Sequence, residues 1–143
     1  MMVKYPFETE IVYNGKNFTI IQDFEVPIPS FFIIGTKRKI NSVADLTDKE
    51  LLEFAKLLKF LRKGILVKLK IKEVYLFQNE DSKFGFHLWV FPRHDWMEKF
   101  GRKIQSVKPI MEYAKLNMMT PEVVNEIKRN VAMMKKYFNE KYK

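Results

Sequence analysis

Short apolar runs in the N-terminal part of the chain predict β-strands. The runs 10–13 and 18–22 flank Asn14-Gly15, a pair in which both residues tolerate positive φ, so this stretch predicts a β-hairpin. The segment Val26-Pro27-Ile28-Pro29 then breaks the pattern, because proline cannot donate a ladder hydrogen bond. The continuous apolar run 31–34 that follows is typical of a buried strand.

Two longer stretches carry apolar residues at helical spacing. In Thr47-Asp48-Lys49-Glu50 the threonine hydroxyl can accept a hydrogen bond from the Glu50 backbone N–H while the Glu50 side chain reaches back. The apolar residues behind this capping box predict a helix over about 48–63 or beyond. Segment 68–72 fits either the last turn of that helix or the approach to a strand. Thr120-Pro121-Glu122 begins a last helix, which is predicted to end near residue 140.

Two more strands are predicted at 74–78 and 84–91, and Pro92 ends the second. Side chains alternate between the faces of a strand, so one face of the second is uniformly apolar and is predicted to be core: Phe84, Phe86, Leu88 and Val90. The opposite face carries the residues of chemical interest: Gly85, His87, Trp89 and Phe91. Strands in two groups around a long helix predict an α+β fold, and 143 residues are expected to form one domain.

Composition excludes several classes of site. The chain has no cysteine, which excludes disulfide scaffolds, thiolate zinc sites and cysteine nucleophiles, and its two histidines exclude sites built from three or four. No metal-ligand cluster or cofactor motif is found, so neither a metal nor a cofactor is expected. No apolar run approaches ~18 residues and the first six residues lack an apolar signal region, so no membrane span is predicted and a cytoplasmic protein is expected.

The charge balance favours anionic partners. Lys and Arg number 26 against 17 Asp and Glu, a formal charge of +9 at pH 7. Such a charge suits nucleotides, nucleic acid or acidic surfaces, although it also serves solubility alone.

One strand segment resembles a known family motif. Phe86-His87-Leu88-Trp89-Val90-Phe91-Pro92-Arg93 is similar to the end of the histidine triad (HIT) motif, three histidines at alternate positions that many members follow with Pro-Arg. Anchoring on Pro92-Arg93 puts the three motif positions at Gly85, His87 and Trp89. Taking His87 as the first histidine would instead put the others at Trp89 and Phe91, which breaks the spacing before Pro-Arg. Without the resemblance, a strand histidine is more often a structural residue.

Further stretches support the resemblance. Residues 18–38 are similar, without gaps, to the strand–Asp–proline loop–strand segment of the family. Residues 46–50 match the start of its long helix, and Asn79-Glu80 has a counterpart after the preceding strand. The resemblance covers about residues 10–95 and leaves about 104–143 as a C-terminal helical extension of a single HIT-like domain with an antiparallel sheet.

The resemblance implies a nucleotide-binding protein, usually a homodimer, that hydrolyses or transfers nucleotidyl groups. It assigns His87 as the nucleophile toward the α-phosphorus of a purine nucleotide or dinucleotide. Asp23 matches the ribose-binding acid, with a turn acid as the alternative. Phe24 and Ile21 fall at base-pocket positions, with plain core as the alternative. Asn79 is expected near the sugar or phosphate, and Trp89 and Arg93 are candidates for binding phosphate.

The departures from the motif keep other hypotheses open. Gly85 has no side chain, and the indole of Trp89 can donate a hydrogen bond but cannot act as a general acid. The first alternative is therefore a non-catalytic nucleotide-binding protein. The second, which is not favoured, is an RNA- or DNA-binding module that uses the basic residues Lys128, Arg129, Lys135 and Lys136. His94 is a weaker candidate to restore proton transfer.

Overall fold

A computed structural model describes residues 10–142 and has an α+β fold, as predicted. The strands are β1 (Ile11–Asn14), β2 (Phe18–Gln22), β3 (Phe32–Thr36), β4 (Val74–Phe77) and β5 (His87–Pro92). The α-helices are α1 (Asp48–Leu69), α2 (Val107–Asn117) and α3 (Pro121–Lys141). A six-residue 3₁₀ helix, Asp95–Phe100, follows β5. All strand pairs are antiparallel, and the order across the sheet is β1-β2-β3-β5-β4.

The hairpin forms where Asn14-Gly15 predicts it. Gly15 N donates to Phe18 O at 2.9 Å, and Asn14 is the register partner of Thr19 across β1 and β2. The central strands β2, β3 and β5 then pair through aligned apolar residues, Ile21 with Ile33 and Ile33 with Trp89.

The last strand is shorter than predicted. β5 starts at His87, and Phe84 lies in the preceding turn with 54% of its surface exposed. The prediction that Phe84 belongs to the core was wrong, because Gly85 has φ +80° and ends the alternation of side chains at that point. Phe86 and Val90 are buried as predicted, whereas Leu88 is only partly buried.

The capping box starts α1, as predicted. Glu50 N donates to Thr47 Oγ1 at 3.1 Å, and Thr47 N donates to Glu50 Oε1 at 2.8 Å. The helix continues to Leu69 and ends at Lys70 in the left-handed conformation, with φ +60°. Segment 68–72 is therefore the end of the helix, followed by a short connection to β4.

The sheet separates two apolar cores. On one side, α1 and α3 pack on β1, β2 and β3, with Leu61 and Ile127 fully buried among sheet residues such as Phe32. On the other side, α2 and the 3₁₀ helix pack against Phe31 and Phe91. The second core covers only part of its face of the sheet and leaves the region around Thr19, Gly35 and His87 open to a cavity.

None of the helices within residues 10–142 is long and apolar enough to cross a membrane. The signal-peptide expectation concerns residues 1–6, which lie outside the described part of the chain.

Candidate functional site

A small cavity of about 170 Å³ lies on the sheet face that points away from α1. Its floor is formed by residues of three neighbouring strands, because Thr19, Gly35 and His87 are register partners across β2, β3 and β5. The remaining lining residues are Ile21, Phe24, Ile33, Thr36, Phe84 and Phe86. The lining is therefore mainly apolar, and His87 is its one ionisable side chain among residues 10–142.

The His87 ring is held in a defined orientation. Only 7% of the residue is exposed, and Nδ1 lies 2.8 Å from the carbonyl oxygen of Gly85. A carbonyl oxygen can only accept a hydrogen bond, so Nδ1 carries the proton in the neutral ring and Nε2 keeps its lone pair. The ring also packs edge-to-face on Trp89, with the ring centroids 4.4 Å apart.

The residue at the first motif position serves through its backbone. Gly85 supplies the carbonyl that fixes the His87 ring, and its φ of +80° is strained for a residue with a side chain. A Cβ at this position would lie 3.0 Å from the Ile40 carbonyl oxygen. The local backbone thus excludes a histidine here unless the turn rearranges.

Asp23 is buried beside the cavity and bonds to its own loop. Its Oδ2 accepts hydrogen bonds from the backbone N–H of Val26 at 2.8 Å and of Glu25 at 3.1 Å. Burial raises the pKa of Asp23 from 3.8 to about 6, against the opposing effect of these two bonds and of the nearby Trp89 side chain. The Trp89 side chain, predicted to hold a phosphate oxygen, thus lies close to Asp23.

Aromatic rings form the entrance to the cavity. Phe24 and Phe84 meet edge-to-face with centroids 5.1 Å apart, and Phe84 also lies 6.4 Å from the His87 ring. Ile21 and Phe24 line the cavity together with His87, so three of the predicted site residues share one location. Sequence analysis missed Phe84 as a lining residue. The available signal was the neighbouring Gly85, because glycine readily adopts a positive φ and can interrupt a strand.

Other predicted residues lie elsewhere. Arg93 is buried and donates to Gly101 O at 3.0 Å and Ser106 Oγ at 3.2 Å, which ties the end of β5 to the segment before α2. His94 binds the Pro29 carbonyl oxygen through Nε2 at 2.6 Å, and burial lowers its pKa. Arg93 and His94 line a different cavity from His87. Asn79 is exposed in the segment after β4 and does not line the His87 cavity.

Among residues 10–142, neither a lysine nor an arginine lines the cavity. Lys83 reaches its entrance, where its Nζ lies 5.2 Å from the centroid of the Phe84 ring. Within residues 10–142, no group of three or more His, Asp or Glu side chains is arranged to hold a metal ion. The site therefore offers one nucleophilic nitrogen in an apolar surrounding.

Comparison with solved structures identifies the fold. The diadenosine triphosphate hydrolase of Plasmodium falciparum is 16% identical with a TM-score of 0.63, over 100% of this chain and 89% of that chain. A Hit-like protein from Bartonella henselae is 13% identical with a TM-score of 0.59, over 89% and 84%. A hypothetical histidine triad nucleotide-binding protein from Sulfolobus tokodaii is 17% identical with a TM-score of 0.56, over 94% and 90%.

These similarities establish a HIT-like fold, as the sequence motif predicts. No family model matches the chain, and no curated protein matches it. At such low identities the shared fold does not carry an activity with it.

Proposed function

We propose that this protein binds a purine nucleotide conjugate in the His87 cavity and transfers or hydrolyses its nucleotidyl group. The observation that carries the proposal is the His87 ring, which lines a cavity while its Nδ1 is bound to the Gly85 carbonyl oxygen. The unprotonated Nε2 is a competent nucleophile without a separate base. The HIT-like fold supports the same assignment, because one similar structure is a diadenosine triphosphate hydrolase and another is described as nucleotide-binding.

The reaction proceeds in two displacements at the α-phosphorus. The Nε2 lone pair of His87 forms a bond to phosphorus while the bond to the leaving group breaks, and the leaving group keeps the electron pair and takes a proton from solvent. Water then attacks the same phosphorus, loses a proton, and breaks the phosphorus–nitrogen bond to restore the imidazole. With no second acid in the cavity, a leaving group of low basicity is favoured.

The apolar end of the cavity suits the base. Ile21 and Phe24 offer apolar contacts to the base. The cavity volume of about 170 Å³ is below the roughly 300–1,000 Å³ of typical ligand sites. We propose that the purine ring fills the cavity and that the phosphates beyond the α-phosphate leave past Phe84 toward Lys83. Asp23, Trp89, Asn79 and Arg93 remain proposed ligand-binding positions, and for Asp23 the two backbone hydrogen bonds within its loop favour a role in shaping that loop.

A second candidate function is nucleotide binding without catalysis. The observation in its favour is that, in the described part of the chain, His87 is the one titratable side chain lining the cavity, with Gly85 and Trp89 at the other two motif positions. General acid–base assistance is worth roughly 10²–10⁴-fold in rate, so its loss can leave a binding protein.

We also propose that residues 1–143 form one domain and that two copies associate. Strand β4 pairs on one side only, with β5, among the described residues, and Leu76 on β4 and Leu66 on α1 are exposed. An unpaired strand edge that carries exposed apolar side chains is suited to self-association.

Turnover and covalent labelling test the proposal. Diadenosine triphosphate and adenosine phosphoramidate are supplied to the unaltered protein, to His87→Asn, and to His94→Gln as a control at the other histidine. We expect turnover, faster for diadenosine triphosphate because its leaving group is the less basic, and an adenylyl adduct on the quenched protein; both are lost in His87→Asn and kept in His94→Gln. Equal turnover by His87→Asn would remove His87 from the mechanism. No turnover, with a melting temperature raised by adenosine monophosphate, would leave the binding function alone.

A further inference from the structure

A second concave surface lies on the opposite side of the molecule from His87. It is a groove of about 360 Å³ between α1 and the last turn of α3. Its rim consists of Lys56, Lys59 and Lys63 of α1 together with Lys141 of α3, and its floor of Phe60 and Tyr142. These six residues are called the lysine groove below.

The charge of the lysine groove is uncompensated. All four lysines are exposed, and within residues 10–142 none of them lies within 4.0 Å of a carboxylate. No acidic side chain among residues 10–142 lines the groove. Together with burial, the charge of Glu53 raises the pKa of Tyr142, and Glu53 accepts a hydrogen bond from Asn17 at 2.8 Å. The described lining of the groove thus carries four positive charges and no negative one, which suits an anion carrying several charges.

The lysines are spaced along the groove. Positions 56, 59 and 63 lie on one side of α1, and the rise of 1.5 Å per residue separates them by ~4.5 and ~6 Å along the helix axis. Such a row matches a chain of regularly repeated negative charges better than a single compact anion.

The floor is aromatic and fixed in position. Phe60 stacks on Tyr137 with centroids 4.4 Å apart and an interplanar angle of 18°, and the Tyr137 hydroxyl donates to Phe60 O at 3.1 Å. Tyr142 contacts Phe60 with centroids 4.8 Å apart. A row of cations beside recessed aromatic rings is the combination that holds phosphates and stacked bases.

We propose that the lysine groove binds single-stranded nucleic acid, with its lysines on successive phosphates and a base against Phe60 and Tyr142. An anionic lipid surface is less suitable, because the aromatic rings lie at the bottom of a concavity rather than projecting between the charges. The site is independent of the His87 chemistry, since α1 lies on the other side of the sheet.

The basic residues singled out in the sequence provide a matched control. Lys128, Arg129, Lys135 and Lys136 do not line the groove, and Lys128 lies 3.8 Å from Glu10. Changing these four to glutamine alters the net charge by the same amount as changing the four groove lysines. Glutamine also keeps the helix propensity close to that of lysine.

Affinity is measured by fluorescence anisotropy of a labelled oligouridylate between about 50 and 200 mM salt. We expect K56Q/K59Q/K63Q/K141Q to bind at least about tenfold more weakly than the unaltered protein at low salt, with the slope of log affinity against log salt reduced by roughly 2 to 3. The control K128Q/R129Q/K135Q/K136Q should keep most of the affinity at low salt and most of the slope of log affinity against log salt. Tyr142→Leu should weaken binding about fivefold or more without changing the slope.

Three results would overturn the proposal: no binding by the unaltered protein at low salt, equal losses in the two quadruple variants, or binding of anionic phospholipid vesicles with no binding of the oligonucleotide. Circular dichroism and melting temperature check each variant. If the groove variant does not fold, K56Q/K63Q must still show about half of the change in slope. His87→Asn should leave binding unchanged, so failure of this site is distinguishable from failure of the proposed function.

Discussion

At the scale of single residues, Asp23 has an unusual environment for a carboxylate. Two backbone N–H groups bond to it and the nearby Trp89 side chain also lowers its pKa, yet desolvation outweighs these effects and raises the pKa to about 6. No lysine or arginine is among the groups that affect it. Asp23 therefore holds a proton in the folded protein under conditions in which the unfolded chain releases it.

This environment predicts a pH-dependent stability. The folded pKa lies above the ordinary value of 3.8, so the favourable contribution is complete below about pH 4 and is lost as the pH rises through about 6. The difference corresponds to about 3 kcal/mol in the free energy of unfolding. Asp23→Asn lacks this titration, so its stability relative to the unaltered protein should rise by about 2 to 3 kcal/mol between pH 4 and 7. Urea unfolding across that range measures it; parallel curves for the two proteins would contradict the assigned pKa.

The residue scale also shows what sequence can and cannot supply. The spacing before Pro92-Arg93 predicted His87, the similarity of residues 18–38 to the family segment predicted Ile21 and Phe24, and these three residues line one cavity. The hydrogen-bond partner of His87 is a backbone carbonyl, which residue identity does not reveal. Residue identity also does not reveal that Arg93 donates to Gly101 and Ser106, because its direction depends on the turn that follows Pro92.

At the scale of secondary-structure elements, α1 and α3 cross closely at Gly64. A methyl group there would overlap the Tyr137 ring and lie 2.8 Å from Met134 Cε. The Tyr137 ring has little freedom to move, because it stacks on Phe60 and its hydroxyl is bonded to the Phe60 carbonyl oxygen. Glycine at this position therefore sets the distance between the two helices.

We expect Gly64→Ala to lower the free energy of unfolding by about 1 to 2 kcal/mol, since overpacking outweighs the helix propensity gained. Helix propensity alone would raise the free energy of unfolding by about 1 kcal/mol, so the sign of the measured change decides between overpacking and propensity. Chemical denaturation measures the change. Ala55→Gly, on the exposed side of α1, measures the effect of helix propensity alone in the same helix. A stabilised Gly64→Ala protein would show that the helices do not meet there.

Element starts were more predictable than their ends. The Thr47 capping box and the Thr120 cap are local interactions, and both helices start where they predict. The end of α1 depends on Lys70 adopting φ +60°, a conformation that a lysine in the sequence does not predict. The predicted start of β5 was wrong because a glycine can either continue a strand or interrupt it, and the sequence does not show which of the two Gly85 does.

At the scale of the whole molecule, the α+β class and the HIT-like fold followed from the order of elements and the motif. The packing of distant elements against one another could not be predicted in this way. The last helix, expected as an extension, supplies Ile127, Met134 and Phe138 to the main core. The lysine groove combines residues of α1 with Lys141, which lies far along the chain, and only the packing of α3 on α1 brings them together.

The proposed dimer has a defined surface. Leu76 on the edge strand β4 is 50% exposed and is the register partner of Val90, so it points to the same side of the sheet as α1. Leu66, near the end of α1, is 46% exposed. A second copy that extends the sheet at β4 would cover these leucines and pair the free backbone groups of the edge.

We expect the protein to sediment as a dimer and Leu66→Lys/Leu76→Lys to sediment as a monomer, because each copy of a two-fold interface would bury both new charges. Leu116→Lys is the control, since Leu116 is 77% exposed on α2, against the other face of the sheet. It should remain dimeric. Sedimentation velocity over a range of concentrations, with thermal melting to verify folding, measures the outcome. An unaltered protein that stays monomeric at about ten micromolar, or a control variant that dissociates equally, would exclude this interface and leave β4 as an edge that its short length of four residues protects from pairing.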